Sequence, residues 1–441
     1  MVDRPMATRS LPAVSTLTAT AIVVADMVGV GVFTSLGFQA RDVPSGFALV
    51  LLWAVGGVVA LCGALCYAEL ATMFPRSGGE YTFLSHMYGP AAGFMAGWLS
   101  ATVGFAAPVA LAAMAFGRYA EAALPGAPAL VLGLAVIGLV SAVHLRGLRH
   151  SSVFQVGSTV LKLALIVVFI GVGFTRGGGQ PISFVPGQQD LTQVVSAGFA
   201  VSLVFVMYAY SGWNAATYIV GELRDPQRSL PRALLAGTGC VVVLYVALNA
   251  VFLYTTPLSE LAGQVEVALI AGRHVFGEAG GRLVGLLICA GLIPTISAMM
   301  WIGPRVTMAM GEDVAPLRVF ARRARNGVPK AAILLQGGVA SLLLLTQSFE
   351  AVLAFVQFGL IACSFLTVLG LIKLRITRPD LPRPCRTWGY PFTPLVFLAV
   401  TLFMMVYLVA VRPFQSLAGL LMMLAGLVLY AVAKVQRPRR P

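Results

Sequence analysis

Two short glycine-rich runs, each inside an apolar segment, are the groups in this sequence best suited to bind a small polar molecule. The first covers residues 27–33 (MVGVGVF) and the second covers residues 208–214 (YAYSGWN). A helix that unwinds at such a run exposes backbone N–H groups and carbonyls, and an exposed helix N-terminus attracts anions. In a membrane this break is tolerated only where protein or a water-filled cavity surrounds it. The two runs therefore predict a binding site made largely of backbone groups.

Two charged residues also lie within apolar segments. Asp26 comes three residues before Gly29, and Lys162 lies in residues 160–167 (VLKLALIV). Burying an unpaired charge in a bilayer is costly, so both are candidates for a functional role. We expect Lys162 to reach the unwinding end of the first helix and to share hydrogen bonds or charge with Asp26. Two other interpretations stay open: Lys162 snorkels from a helix end, and Asp26 is a purely structural hydrogen-bonding group.

The segments that must position these residues are suited to lipid. Hydrophobic residues make up 59% of the 441 residues and charged residues 10%, whereas a soluble domain carries about 25% charged residues. Apolar runs of roughly 20 residues, long enough to span a bilayer, centre near residues 28, 60, 104, 136, 163, 206, 244, 292, 339, 362, 401 and 424. The sequence therefore predicts an all-α polytopic protein with about 12 transmembrane helices, in a single membrane domain over residues 1–441.

The net charge of +14 is explained by membrane topology, and we expect no nucleic acid partner. If the N-terminus is cytoplasmic, most Lys and Arg residues fall in inside segments, which is the usual bias of membrane proteins. The basic residues outside these segments are Lys162, within a span, and Arg41, Arg118, Arg176, Arg273, Arg282 and Arg412. We expect a multi-pass protein of the cell (cytoplasmic) membrane with both termini in the cytoplasm.

Further motifs follow the two runs in a definite order. Residues 75–81 (PRSGGEY), 88–90 (YGP) and 97–98 (GW) follow the first, residues 222–233 (ELRDPQRSLPRA) follow the second, and Arg305, Met308, Met310 and Asp313 come later. Together with residues 29–33 and 210–214, these motifs resemble the amino acid–polyamine–organocation transporters. They are most similar to the bacterial relatives of the L-type amino acid transporters. The resemblance extends from Thr16 to about Leu408.

The resemblance implies two five-helix inverted repeats with breaks in helices 1 and 6, the LeuT-like fold. The repeats would cover residues 1–175 and 190–376, and two further helices would cover residues 390–436. The implied function is a secondary transporter that moves L-α-amino acids, with neutral ones favoured, across the cytoplasmic membrane by alternating access. Transport would be sodium-independent exchange or proton-coupled uptake, and the chain would not be an enzyme.

The resemblance also assigns roles at the two breaks. The substrate carboxylate would bind N–H groups of the first break, where glycines permit close approach and positive φ angles, and the ammonium would bind carbonyls of both breaks. The implied substrate-binding residues are Gly29, Val30, Gly31, Tyr208, Ala209, Ser211 and Asn214. The implied gating and coupling residues are Asp26, Lys162, Tyr208, Trp213 and Glu222. The Lys162 ammonium would occupy the place where sodium-driven relatives hold a cation between helices 1 and 8.

Departures from the family pattern suggest a second interpretation. Asp26 stands where the family often has a small or amide residue, so the site carries an added negative charge. That charge would suit a proton acceptor, or a proton-coupled carrier of cationic amino acids or polyamines. Tyr208 replaces a phenylalanine common in the L-type branch, and Gly221 replaces the first acid of a Glu-Glu pair, leaving Glu222 alone. A third interpretation is an amino acid sensor without transport.

The remaining residues indicate neither a cofactor nor a metal site. The six cysteines form no disulfide framework or metal-ligand spacing, and the loop Tyr119–Pro128 lacks the cysteine that joins animal members to a glycoprotein heavy chain. We expect no such subunit, and the sequence leaves monomer or homodimer open. The four histidines are expected at the surface. Glu69 is expected to be a gate or capping partner, and Ser297 and Phe358 are candidates for the side-chain pocket.

Overall fold

The computed structural model describes residues 14–435, apart from residues 124, 125, 127, 177, 182 and 265. The regular elements of this part are helical. They are α1 (Thr16–Met27), α2 (Gly31–Asp42), α3 (Gly46–Met73), α4 (Glu80–Tyr88), α5 (Pro90–Leu99), α6 (Ala106–Ala123), α7 (Ala129–Leu145), α8 (Leu148–Arg176), α9 (Gln188–Val194), α10 (Ala197–Ala209), α11 (Pro226–Thr255), α12 (Leu258–Leu261), α13 (Val267–Asp313), α14 (Arg318–Ala321), α15 (Lys330–Leu345), α16 (Phe349–Thr377), α17 (Phe392–Val411) and α18 (Pro413–Val435).

The helices account for the predicted membrane spans. In the described part of the chain, nine stretches are long and apolar enough to cross a membrane, and α7, α10 and α15 are shorter apolar helices. Together they occupy the twelve positions that hydropathy predicts. The span Thr16–Asp42 is almost entirely buried by other helices, whereas Leu148–Arg176 and Pro413–Ala433 are mostly exposed. The first span therefore lies in the centre of the bundle, and the exposed apolar spans form its lipid-facing surface.

The structure breaks helices at both predicted places. In the first span α1 ends at Met27 and α2 begins at Gly31, so residues 28–30 are not helical. In the second, α10 ends at Ala209, and a 3₁₀ helix, Ala215–Glu222, follows after a turn. A third interruption was not predicted: a π-helical turn, Ser100–Gly104, separates α5 from α6. Single π turns inside helices often occur at functional sites.

A buried acid holds one connection between helices in place. Glu69, near the end of α3, is fully buried and accepts hydrogen bonds from Arg375 in α16 at 3.0 and 2.5 Å. Its carboxylate also accepts the Thr387 N–H at 2.7 Å and lies 3.3 Å from Arg383. A buried carboxylate needs such partners. Glu69 is therefore a capping partner for the segment that joins α16 to α17.

Candidate functional site

A cavity of about 110 Å³ lies where the two broken spans meet. Its lining includes all of the residues that the sequence predicts to bind substrate, which are Gly29, Val30, Gly31, Tyr208, Ala209, Ser211 and Asn214. Asp26 and Trp213, two of the predicted gating residues, line it as well. Lys162 and Glu222 lie outside this lining. The fold thus brings the two glycine-rich runs to one cavity.

The first break presents hydrogen-bond donors. Helix α2 begins after Val30 with no side-chain cap, so its first N–H groups have no partner within the helix. Among the described residues, the N–H groups of Val30 and Gly31 form no hydrogen bond, whereas the Gly29 N–H donates to the Met27 carbonyl at 2.8 Å. Two of the three predicted carboxylate donors are therefore available, and the third is engaged within the break.

The glycines of the breaks allow neighbouring backbone segments to come close together. A Cβ added to Gly31 would lie 2.7 Å from the Ala209 Cα, whereas one added to Gly29 would lie 3.4 Å from its nearest neighbour, a methyl carbon of Thr295. The expectation of positive φ at the first break is wrong, because neither glycine has it. Gly212 in the second break does, with φ 99°. A Cβ there would lie 2.7 Å from the Asp26 carboxylate.

A tyrosine that sequence reasoning missed joins the two breaks. The Tyr245 hydroxyl, in α11, lies 2.5 Å from the Met27 carbonyl and 3.0 Å from the Ala209 carbonyl, and can donate to either. These carbonyls end α1 and α10. Without Tyr245 the Ala209 carbonyl would have no donor among the described residues, whereas the Met27 carbonyl also accepts the Gly29 N–H. The available signal was weak: a buried tyrosine in an apolar helix usually has a hydroxyl partner. Which partner it has depends on the fold.

Lys162 fastens the unwound end of α1, as expected. Its ammonium donates to the carbonyls of Ala25, at 3.4 Å, and Val28, and to the Thr295 hydroxyl at 2.6 Å. The side chain is 2% exposed, so snorkelling is wrong. Thr295 belongs to α13 and also donates to the Val28 carbonyl at 2.8 Å. One ammonium thus joins α8, α1 and α13.

The expectation that Lys162 shares hydrogen bonds or charge with Asp26 holds for the charge and is wrong for the hydrogen bonds. Lys162 has three N–H donors, and oxygen atoms of Ala25, Val28 and Thr295 already take them. Asp26 is close enough for electrostatic attraction to Lys162, but it forms no hydrogen bond or ion pair with it. Within the described residues, Asp26 Oδ1 is buried without a hydrogen-bond partner. The carboxyl lines the cavity beside Gly212.

Glu222 belongs to a contact network at one end of the bundle. Arg305 Nε donates to Glu222 Oε1 at 2.9 Å, and Trp301 Nε1 donates to Oε2 at 3.2 Å. The Val14 N–H donates to the Glu222 carbonyl at 2.7 Å, and Val14 forms a parallel bridge with Leu223. We call the part of the bundle that contains Val14, Glu222 and Arg305 the Val14 end.

Comparison with known proteins identifies the family of this chain. The model of the family described as "Amino acid permease" matches residues 14–433. The chain belongs to this family. A mouse b(0,+)-type amino acid transporter 1 is 28% identical over 428 residues, which are 95% of this chain and 87% of the relative.

Two further relatives match over a similar length. The rat Asc-type amino acid transporter 1 is 27% identical over 430 residues, 94% of this chain and 79% of the relative. The rabbit large neutral amino acids transporter small subunit 2 is 26% identical over 428 residues, again 94% and 79%. These matches confirm the family that the motifs indicated and, with the apolar helices, a multi-pass membrane protein.

In this permease a second network of contacts joins helices at the Val14 end. Arg76 donates to Asp313 at 2.9 Å and forms an ion pair with Glu312 at 3.3 Å. The Tyr81 hydroxyl donates to Asp313 at 2.6 Å. Ser77 Oγ accepts the Gly221 N–H at 3.0 Å, which links this network to the 3₁₀ helix that ends at Glu222. The PRSGGEY motif therefore holds α13 and the second broken span together.

Other predicted residues lie elsewhere. Ser297 forms a hydrogen bond with His144 at 3.0 Å and does not line the cavity. Phe358 packs with Val204 and its neighbours in a separate cluster, so both pocket candidates are wrong. The surface expectation is wrong for His144, which is 1% exposed. The cavity lining outside the two breaks includes Ser100, Gly104, Phe105, Pro108, Ala112, Leu360 and Ser364.

Proposed function

We propose that this permease is a sodium-independent secondary transporter of L-α-amino acids, with neutral side chains favoured. One observation carries the proposal: the two helix breaks line one cavity and present groups of opposite polarity. Unpaired N–H groups of Val30 and Gly31 suit a carboxylate, and helix-end carbonyls at Met27 and Ala209 suit an ammonium. A carbonyl oxygen has two lone pairs, and the single Tyr245 hydroxyl proton can serve only one of the two carbonyls at a time. The Ala209 carbonyl therefore always keeps a free lone pair. The Met27 carbonyl, which also accepts the Gly29 N–H, keeps one when Tyr245 donates to Ala209.

Sodium independence follows from the place of Lys162. A sodium ion between α1 and α13 would need the oxygen atoms of Ala25, Val28 and Thr295, and the ammonium occupies all of them. The similarity to these relatives supports the substrate class, because each of them is an amino acid transporter. The Lys162 side chain thus stands where a sodium ion would otherwise bind.

We extend the proposal to architecture and orientation. The two breaks occur at corresponding places in residues 1–175 and 190–376, as inverted repeats require. The bias of basic residues favours both termini in the cytoplasm of a cell whose cytoplasmic membrane holds the protein. The Val14 end would then face the cytoplasm, and alternating access would require the ion pairs of Arg305 and Arg76 to separate.

Uptake into proteoliposomes tests the proposal. The purified protein is supplied with a panel of labelled amino acids, with and without a pH gradient. We expect it to transport leucine or alanine as fast in choline as in sodium. Esterified or N-acetylated amino acids are expected not to compete, because each lacks one end of the clamp. A sodium requirement would contradict the role of Lys162, and competition by N-acetyl-leucine would contradict the clamp.

A carrier of cationic amino acids or polyamines is the second candidate, and Asp26 favours it. Its carboxyl lines the cavity without a hydrogen-bonding partner among the described residues. Because Asp26→Asn removes no hydrogen bond seen in the structure, we expect the melting temperature to be preserved. If the substrate is neutral, competition by alanine and leucine is expected to persist in the variant. If the substrate is cationic, the affinity for arginine is expected to fall at least about tenfold, which is roughly 1.4 kcal/mol.

Competition by alanine, leucine and arginine distinguishes the two candidate functions.

Lys162→Met and the double variant with Asp26→Asn test whether Asp26 and Lys162 form an ion pair. Since the structure has no such pair, the double variant is expected not to recover stability that Lys162→Met loses. Recovery in the double variant would show that the two charges pair after all.

A further inference from the structure

A second carboxyl lines the central cavity, and neither the motif analysis nor the proposed clamp uses it. Glu80 is the first residue of α4, and it is 2% exposed. It belongs to the PRSGGEY segment, where the sequence marks it only as part of a family motif. The structure places it on the cavity wall together with Ser100, Tyr218 and Ser364.

The two oxygen atoms of Glu80 have different surroundings. Oε1 accepts the Tyr67 hydroxyl at 2.5 Å and the Ser364 hydroxyl at 2.8 Å. Oε2 has no hydrogen-bond partner in the described part of the chain. Since Oε1 already accepts two donors, a proton bound to this carboxyl would reside on Oε2. The Glu80 carboxyl is therefore held in one orientation, and its Oε2 atom is free to bind a proton.

No cation faces this carboxyl among the described residues. The titratable groups around it are Tyr67 from α3, Cys363 from α16, Tyr218 from the 3₁₀ helix and, across the same cavity, Asp26.

Two charged side chains approach α4 elsewhere: Lys373 donates to the Met87 carbonyl, and Asp313 accepts from Tyr81. On α4 itself, His86 bonds to the Thr82 carbonyl. A buried carboxylate without a counter-cation is costly, so burial favours its protonated form.

Glu80 is linked to the contacts of the Val14 end through the next residue in the chain. The next residue, Tyr81, donates to Asp313 in the network that includes Arg76. Gly78 and Gly79, just before, both have positive φ, and a Cβ on Gly79 would lie 2.4 Å from the Tyr218 ring. The turn is therefore tightly packed, and through Tyr81 it links Glu80 to the contacts of Asp313.

We propose that Glu80 is the proton-binding residue that couples transport by this permease to a proton gradient. A hydronium ion in the cavity gives its proton to Oε2, which makes the carboxyl neutral before the Val14 end opens. The proton returns to water from Oε2 once that end has opened, so one proton accompanies each cycle. This inference rests on the proposed amino acid transport and identifies its coupling ion.

Steady-state accumulation of leucine tests the assignment. Proteoliposomes contain the pH dye pyranine, and valinomycin with equal potassium on both sides holds the membrane potential at zero. With the outside one pH unit more acid, one coupled proton supports about tenfold accumulation, because one unit corresponds to a factor of ten. Wild type is expected to reach this ratio and to acidify the interior with leucine. Glu80→Gln is expected to lose both, with the leucine ratio falling to about one, the value for uncoupled equilibration.

Exchange of internal for external leucine shows whether the variant folds and cycles. Glu80→Gln is expected to retain measurable exchange with no pH dependence. The matched control is Glu260→Gln, since Glu260 is an acid outside the cavity whose partner is His274; it is expected to accumulate leucine like wild type. Accumulation by Glu80→Gln, or transport by wild type without accumulation, would overturn the inference and leave the proposed function standing. Failure of wild type to transport any amino acid would overturn the proposed function itself.

Two milder variants test Glu80 if Glu80→Gln does not fold. Tyr67→Phe and Ser364→Ala each remove one donor to Oε1 and keep the carboxyl. Hydrogen bonds to a carboxylate favour its charged form, so losing one raises its proton affinity. The midpoint of the pH dependence of uptake is therefore expected to move to higher pH in both variants. An unchanged midpoint in both would refute the role of Glu80.

Discussion

Gly31→Ala is expected to reduce leucine transport at least about a hundredfold, the order of loss that follows from a 1 Å misplacement of reacting or binding groups. The added methyl carbon would lie 2.7 Å from the Cα and 2.8 Å from the Cβ of Ala209. Backbone cannot yield as a flexible side chain can, so α2 and α10 must separate. The carboxylate donors of Val30 and Gly31 would then no longer face the carbonyls of the second break.

Gly29→Ala provides the matched control. It makes the same chemical change in the same break, but the new methyl carbon would lie 3.4 Å from the Thr295 methyl group and 3.9 Å from the Met27 carbonyl oxygen, which are ordinary contact distances. Most of the transport is expected to remain. Exchange in proteoliposomes and melting temperature are measured for both variants. Overpacking at Gly31 is also expected to lower stability by about 1–3 kcal/mol. Equal transport by the two variants would show that transport does not depend on the close contact between Gly31 and Ala209.

The second large effect is expected at Lys162. Lys162→Ala should lower turnover on the order of a hundredfold, since it removes charge-assisted hydrogen bonds of roughly 1.5–3 kcal/mol each from the unwound end of α1. Affinity for leucine should change by less than about threefold, or 0.7 kcal/mol, because Lys162 lies outside the cavity lining. Its ammonium instead determines how α1 sits against α8 and α13.

Binding and turnover must be measured separately for this prediction. Equilibrium binding of labelled leucine gives the affinity, and exchange under saturating leucine gives the turnover. Lys162→Met is the companion variant, because it keeps most of the side-chain volume and loses only the donors. If both variants lose turnover equally, the loss of hydrogen bonds is the cause. If only Lys162→Ala loses turnover, the loss of side-chain packing is the cause. Equal losses of affinity and rate would instead indicate direct contact with substrate.

The two breaks were predictable because local sequence determines them. Glycine-rich runs inside apolar segments have few ways to remain helical, and membrane spans can tolerate a break only beside a cavity. The same reasoning located all of the predicted binding residues on one cavity. It could not give backbone angles, and therefore placed positive φ at Gly29 and Gly31 when the second break, at Gly212, required it.

The contacts of the charged groups depended on distant segments. Asp26 and Lys162 were expected to pair because they are opposite charges in apolar surroundings. The two attract each other but form no hydrogen bond, because the unwound helix supplies carbonyls, and these oxygen atoms with Thr295 accept all three donors of the ammonium. Tyr245 and Glu80 were missed for the same reason. Each acts through partners far away in the sequence, and no local pattern marks which residues those will be.

The bridge between Val14 and Leu223 can form only late in the synthesis of the chain. Val14 emerges from the ribosome first, and α1 follows it into the membrane while Leu223 is still untranslated. Chains fold from the N-terminus as they are made, so the first five spans insert with α1 unfastened at its leading residue. A nascent chain stopped after Arg176 would contain Lys162 but neither Leu223 nor Thr295. Such a chain would lack the partners that hold Val14 and Val28 in place in the complete protein.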